Sequence, residues 1–359
     1  RWKKGRTPTR KVSGKPERLP GGPSIPGAGY VTNAELLTFL GFNFLMGYHR
    51  LPELSLYWKQ QPDTGLALGI FQQSMTRERF QFISKHIAVT SPADIKEADR
   101  TAPKPDPLGL IRWLIDKLNG RFNECRQPPR VQSIDESMVK FKRRSTLRQT
   151  MKSKPIKSGF KIWSRCDSEG YTYAFEVYQG NRPGQTQRAR KGEAVESVVL
   201  DLCVDLFEKG HIVAFDSYFS SISLMDKLRI SGVNAVGTIN PKRVNQPVLD
   251  EKSLKQDEYK GKFGGKVGTP RKGIFIWKDT SAFRVISNYH GSELVEVERK
   301  QSDGTYRDKT CPKAMADYTQ CMGGVDRANQ MRSYYERDRR SKKWWHRIFY
   351  SLLETTLVN

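Results

Sequence analysis

Residues 211–240 read HIVAFDSYFSSISLMDKLRISGVNAVGTIN and contain the pattern that decides the fold. HIVAFD, 211–216, is a short apolar run of the kind that is buried in a sheet, and VNAVGTIN, 233–240, is a second one. The residues between them, 221–232, have helical spacing and end at a glycine. The stretch therefore predicts a β-α-β unit with two parallel strands.

The segments before this unit extend it to a β-β-β-α-β-α-β order. Strand patterns lie at 131–141 (VQSIDESMVKF), 158–166 (SGFKIWSRC) and 171–179 (YTYAFEVYQ), and a hairpin turn at 167–170 joins the last two. An amphipathic helix follows at 192–210. Antiparallel hairpins that lead into parallel β-α-β units predict an α/β fold, with a mixed sheet and helices on its faces.

The flanking segments have different textures. Residues 1–29 are basic and then rich in Pro and Gly, which predicts a flexible arm, and residues 30–128 carry helical patterns that predict a helical domain. The first part of the core is expected at 129–240. Short strands predict a β-rich insertion at 241–312, and residues 313–359 return to a helical pattern.

The charge of the chain indicates a polyanionic partner. Its 62 Lys and Arg residues exceed its 38 Asp and Glu residues, which gives a net charge of +24. The excess is clustered at 1–18, 140–165 and 327–347, which favours nucleic-acid binding over a merely well-solvated surface. Such binding should weaken steeply with salt. No apolar run is long enough to cross a membrane, so no membrane partner is expected.

Three acids stand where a carboxylate is hard to explain structurally. Asp135 lies in the first strand pattern, Asp216 ends HIVAFD, and Asp326 follows two glycines at a predicted helix start. Each alone has an ordinary explanation as a turn former or a favourable charge at a helix N-terminus. Together, three oxygen donors suit Mg²⁺ or Mn²⁺ in two-metal cleavage of a phosphodiester.

Three stretches carry a resemblance to a known family. IDESMVKFKRRSTLRQTMKSKPIKSGFKIW, VAFDSYFSS and MGGVDRANQM resemble the piggyBac transposases in order, spacing and flanking sequence, over roughly residues 30–359. The resemblance implies an RNase H-like catalytic core interrupted by a β-rich insertion. It also implies that residues 30–128 form a dimerisation and DNA-binding domain, which the helices after the third acid rejoin.

The same resemblance implies the reaction and its residues. The expected activity is cut-and-paste transposition of double-stranded DNA through hairpin ends, with insertion at TTAA, by a homodimer in the nucleus. By position, Asp135, Asp216 and Asp326 correspond to the catalytic metal ligands of the family. Asn329 departs from the family pattern, which has a fourth acid there, although its amide oxygen can still reach a metal.

Two alternatives stay open, and Asn329 bears on the first of them. One is a transposase-derived DNA-binding protein without catalytic activity, and the other is a different metal-dependent nuclease such as a resolvase. Strand transfer into target DNA separates a transposase from a simple nuclease. The basic residues after the first and third acids are candidates for contacts with DNA phosphates: Arg143, Arg144, Arg148, Lys152, Lys154, Lys157, Arg332, Arg339, Arg340, Lys342 and Lys343.

Overall fold

The structure of the chain is a computed structural model that describes most of residues 30–359. The described residues are 30–59, 68–91, 95, 105–152, 154–180, 191–243, 247, 249–264, 272–301, 303–337 and 341–359. The predicted arm at 1–29 lies outside them. None of the described helices is long and apolar enough to cross a membrane.

The chain divides into two compact units, one helical and one built on a sheet. Of the described residues, the helical unit contains those up to Leu118 together with those of Arg332–Leu357, and the sheet unit contains those of Asn119–Met331 with Val358–Asn359.

The described residues form nine α-helices. In chain order they are α1 Asn33–Tyr48, α2 Ile70–Ser74, α3 Arg77–His86, α4 Arg112–Cys125, α5 Lys191–Leu202, α6 Ile222–Ile230, α7 Lys313–Cys321, α8 Gly324–Tyr335 and α9 Trp344–Val358. Two short 3₁₀ helices lie at Leu54–Trp58 and Val204–Leu206.

The described residues also form eleven strands. These are β1 Val131–Lys140, β2 Gln149–Thr150, β3 Ser158–Cys166, β4 Thr172–Val177, β5 Ile212–Phe215, β6 Asn234–Thr238, β7 Tyr259–Gly264, β8 Lys272–Lys278, β9 Ala282–Ser287, β10 Leu294–Lys300 and β11 Tyr306–Pro312. Nine of them form one sheet in the order β2-β3-β1-β5-β6-β9-β8-β7, with β4 also paired to β3, while β10 and β11 form a separate hairpin.

The centre of the sheet has the predicted mixed topology. Strand β1 pairs antiparallel with β3 and parallel with β5, and β5 pairs parallel with β6 through the α6 crossover. The predicted α/β fold with a mixed sheet is therefore confirmed. In the region of the expected β-rich insertion, β9, β8 and β7 continue the central sheet from β6 onward.

Strand β5 shows why its sequence is continuously apolar. Val213 and Phe215 pack in a cluster with side chains of α5 and α6, whereas Ala214 packs in a second cluster with Met315 and Tyr318 of α7. Successive side chains of a strand alternate between faces, so β5 is covered on both. The end of β5 is thus held in the middle of a packed layer.

The helical unit has an aromatic core and a well-formed first helix. Phe42 lies 4.5 Å from Phe71 and 5.9 Å from Trp58, measured between ring centroids. A capping box begins α1, since the Thr32 side chain accepts from the Glu35 N–H and the Glu35 carboxylate accepts from the Thr32 N–H.

Candidate metal centre

Asp135 and Asp216 meet because of the register of two parallel strands. The last paired residues of β1 and β5 are Ile134 and Phe215, so the next residue on each strand is an aspartate. Adjacent strands are about 4.8 Å apart. The sheet therefore brings together two carboxylates that are 81 positions apart in the sequence.

Glu136 joins the two aspartates. One oxygen each from Asp135, Glu136 and Asp216 lies within 4.8 Å of the other two. We call these three residues the acidic cluster. Glu136 is not among the residues predicted from the sequence, because neighbouring residues of a strand normally face opposite sides. The adjacent acids in IDES, 134–137, are the one signal that could have found it.

The acidic cluster is electrostatically strained. Burial and then the charge of Glu136 raise the pKa of Asp135 from 3.8 to about 7. The same two causes raise the pKa of Asp216, whose Oδ1 also accepts a hydrogen bond of 2.9 Å from the Tyr218 N–H. Burial opposes ionisation of Glu136 too, but Asp135, Lys161 and Lys154 together lower its pKa. The cluster thus attracts positive charge.

Two lysines supply positive charge next to the acidic cluster. The Lys154 ammonium lies 3.2 Å from Glu136 Oε1 and 3.7 Å from Asp135 Oδ2. The Lys161 ammonium is buried 4.1 Å from the centre of the Tyr218 ring and 5.2 Å from that of Trp163. Burial lowers the pKa of Lys161 despite the charges of Glu136 and Asp216.

The donor set fits a divalent cation. Asp135 Oδ1 and Glu136 Oε2 are buried, and neither accepts a hydrogen bond from any other residue within the described part of the chain, although a proton shared between the two side chains contributes to their pKa shifts. Buried carboxylate oxygens without partners are costly, and a cation would satisfy them. Three carboxylates are the hard ligands that Mg²⁺ and Mn²⁺ prefer.

Asp326 lies apart from the acidic cluster but near it. It is exposed in the first turn of α8 and is not among the three acids whose oxygens lie within 4.8 Å of one another. Burial acts to lower the pKa of Lys154, but the charges of Asp135 and Glu136, and more weakly of Asp326, raise it. Asp326 therefore acts on the same ammonium as the cluster.

Gly324 fixes the start of α8 against the sheet. A Cβ at this residue would overlap the Asp167 carbonyl oxygen and lie 2.6 Å from Ser133 Oγ. Ser133 is two residues before Asp135 on β1, so this contact sets the position of Asp326 relative to the cluster. A Cβ at Gly323, in contrast, would meet nothing within 4 Å. Asn329 is half-buried and follows Asp326 by three residues, on the same face of α8.

The predicted DNA-contacting residues fall into three groups. Lys154 points to the acids, as described above. The others in the connection between β1 and β3 are exposed: Arg143, Arg144, Arg148, Lys152 and Lys157. Of those after the third acid, Arg332 is half-buried, Lys342 is exposed, Lys343 donates to the Lys85 carbonyl at 2.7 Å, and Arg339 and Arg340 lie outside the described residues.

Comparisons with known proteins agree with this architecture. The family model described as "Transposase IS4" matches residues 28–359. Human PiggyBac transposable element-derived protein 3 is 30% identical over 336 residues, which cover 92% of this chain and 54% of that protein. Human PiggyBac transposable element-derived protein 2 is 29% identical over 337 residues, with 92% and 55% covered. The chain thus spans about half the length of these relatives.

A solved structure has the same fold. The cryo-EM structure of a piggyBac transposase synaptic complex with hairpin DNA aligns with a TM-score of 0.76 and 20% identity, over 94% of this chain and 66% of that one. This likeness confirms the RNase H-like fold class. The predicted resemblance to the piggyBac transposases is confirmed. Because the family model matches nearly the whole described chain, the protein belongs to the transposase family of that model.

Proposed function

We propose that this protein is a DNA transposase of piggyBac type, which cleaves double-stranded DNA at transposon ends and joins them to target DNA at TTAA. The observation that carries the proposal is the acidic cluster at the carboxyl end of β5, in a strongly basic chain of a transposase family. Ligand sites in open α/β sheets gather at this end of the strands.

The proposed metal ligands are Asp135, Asp216 and Asp326, with Asn329 at the edge. The chemistry of such a site is that of Mg²⁺ or Mn²⁺, which activate a water or a 3′-hydroxyl and stabilise the leaving oxygen of the phosphodiester. The chain's own contribution is to hold these oxygens at one edge of the sheet. Glu136, which is buried, adds a third carboxylate beside the half-buried Asp135 and Asp216, and Lys161 limits the repulsion among the acids.

Double-stranded DNA is the proposed substrate and partner. The exposed basic residues between β1 and β3 follow Asp135 and Glu136 in the chain and suit contacts with phosphates. The solved relative in the synaptic complex carries hairpin DNA, which supports the same substrate class here. Assembly as a homodimer, action in the nucleus, and a dimerisation and DNA-binding role for the helical unit are parts of the same proposal.

A second candidate is a DNA-binding protein that has lost the chemistry. Asn329 favours it, since this position supplies an amide where the family resemblance predicts an acid. The names of the human relatives describe them as derived from transposable elements. Both candidates share the basic surface, so metal binding and strand cleavage distinguish them.

The test combines metal titration with DNA cleavage. Mn²⁺ is titrated calorimetrically into the wild-type chain, Asp216→Ala and Asp308→Ala, an exposed aspartate of β11 that serves as the control. A transposase binds Mn²⁺ in the wild type and the control, whereas Asp216→Ala loses the binding. The same three proteins are then given Mn²⁺, a short DNA duplex with free 3′-hydroxyl ends as the donor, and supercoiled target DNA with or without TTAA.

Metal-dependent nicking and strand transfer that favour TTAA, present in the wild type and Asp308→Ala alone, are the expected results. DNA affinity should remain intact or rise slightly in Asp216→Ala, because an acid is removed near phosphates. Mn²⁺ binding without any cleavage would favour the DNA-binding protein. Cleavage without strand transfer would point to a simple nuclease.

A further inference from the structure

Lys154 contacts the acids of the proposed metal site. The sequence predicts it as a phosphate contact, yet its ammonium forms ion pairs with Glu136 and Asp135 and also feels the charge of Asp326. These are the acids around which the metal site is proposed. The ammonium therefore neutralises the cluster from inside the chain.

The carboxylates around Lys154 form a preformed ligand site. The Glu136 side chain is 7% exposed, and its Oε2 has no hydrogen-bond partner among the described residues, although its Oε1 accepts the ion pair. One buried oxygen of Asp135 is likewise without a partner in the part of the chain that the structure describes. A single ammonium thus leaves ligand capacity in the cluster unused, and a divalent ion has charge enough to take it up.

Of the two lysines, Lys154 is the one whose side chain can move away from the acidic cluster. Its side chain is 29% exposed and extends from the connection between the short strand β2 and β3. Lys161 is different, since it lies within β3, is 6% exposed and is covered by two aromatic rings. A long side chain on a surface connection can reorient while the sheet stays fixed.

We propose that Lys154 is a resident counter-ion of the acidic cluster, and that a divalent metal and the Lys154 ammonium are alternative occupants of it. This inference rests on the proposed function, because it concerns the same metal site. In the metal-free protein the lysine stabilises the cluster, and metal binding releases it towards solvent. Metal affinity is consequently reduced by the work of displacing the lysine.

The first experiment is calorimetric titration of Mn²⁺ into the full chain and three variants. Lys154→Met removes the competing charge and keeps the length, so Mn²⁺ should bind about tenfold tighter or more. Lys154→Arg keeps the charge and should stay near the wild type. Lys157→Met is the control, since Lys157 is an exposed lysine of the same connection, and its affinity should not change.

The second experiment follows Lys154 in the wild type. Amine-reactive labelling, quantified by mass spectrometry, should modify Lys154 slowly without metal and several-fold faster with saturating Mn²⁺, while Lys157 reacts equally in both states. A lysine that only supports the local fold would show no such release. Labelling of Lys154 that is unchanged by bound Mn²⁺ would overturn the proposal, even if Lys154→Met failed to fold.

The outcomes separate this inference from the proposed function. If the wild type binds Mn²⁺ and Lys154→Met binds it equally or more weakly, the exchange of lysine for metal is refuted, but the proposed metal centre is still supported. If neither protein binds Mn²⁺, the metal centre itself fails, and the exchange with it. Tighter binding by Lys154→Met but not Lys154→Arg, together with metal-induced labelling of Lys154, supports the exchange.

Discussion

The two adjacent glycines before Asp326 should respond very differently to the same substitution. In Gly324→Ala the added methyl group meets the Asp167 carbonyl and Ser133 Oγ, both closer than real Cβ contacts allow. One of these is backbone in the turn between β3 and β4 and cannot rotate away. The start of α8 must therefore shift. In Gly323→Ala the methyl group enters open space.

The expected cost of Gly324→Ala is about 1–3 kcal/mol, the usual range for overpacking a tight contact. Alanine's better helix propensity offsets up to about 1 kcal/mol of this. Gly323→Ala should change the free energy of unfolding by about 0.5 kcal/mol or less. Because Asp326 is two residues beyond Gly324, the shift should also weaken Mn²⁺ binding roughly tenfold, as the loss of supporting contacts does in metal sites.

Urea denaturation measures the first effect, and calorimetric titration of Mn²⁺ measures the second. Gly324→Ala should have a lower urea midpoint than Gly323→Ala and weaker metal binding. Equal midpoints would refute the close contact between α8 and β1. A lower midpoint with unchanged Mn²⁺ affinity would separate the contact from the metal centre and place Asp326 outside it.

Three other variants probe the charges. Folding raises the pKa of Asp135 from 3.8 to about 7. Its contribution to the stability of the metal-free protein is therefore fully present below pH 3.8 and is lost as the pH rises through 7. Asp135→Asn should flatten this fall in melting temperature, and wild-type and variant melting temperatures that run parallel across that pH range would contradict the reasoning. Asn329→Asp should tighten Mn²⁺ binding by adding a carboxylate, and unchanged calorimetry would remove position 329 from the site. Arg143→Ala with Arg144→Ala should lower the slope of log affinity for DNA against log salt by about 1–2; a shift without a change in slope would mean that neither contacts a phosphate.

The central sheet could be predicted because its strands are distinctive in the sequence. HIVAFD and VNAVGTIN are short, mostly apolar runs, and α7 begins at Lys313, where the helical pattern is expected to resume. The pairing of β9 with β6 could not be predicted, since strand patterns do not specify partners. The sequence therefore indicates a β-rich insertion, and the structure adds that its strand β9 pairs with the central sheet.

The candidate site was predictable in part for similar reasons. Asp216 ends a buried strand, so its place at the edge of the sheet follows from its sequence. The place of Glu136 in the cluster could not be predicted, because the alternation of side chains along a strand would put it on the face opposite Asp135. Lys154 lies in a connection without periodicity, and its ion pairs depend on the path of that connection.

The parallel pairing of β1 with β5 has a consequence for how the protein folds. Asp135 and Asp216 belong to strands that meet after a long loop has closed, and β5 lies between β1 and β6. Contacts between distant parts of a chain form late and slowly, because the entropy lost on loop closure must be offset before these contacts stabilise the chain. The metal centre should be absent from early folding intermediates. The recovery of Mn²⁺ binding during refolding would then time the closure of the sheet.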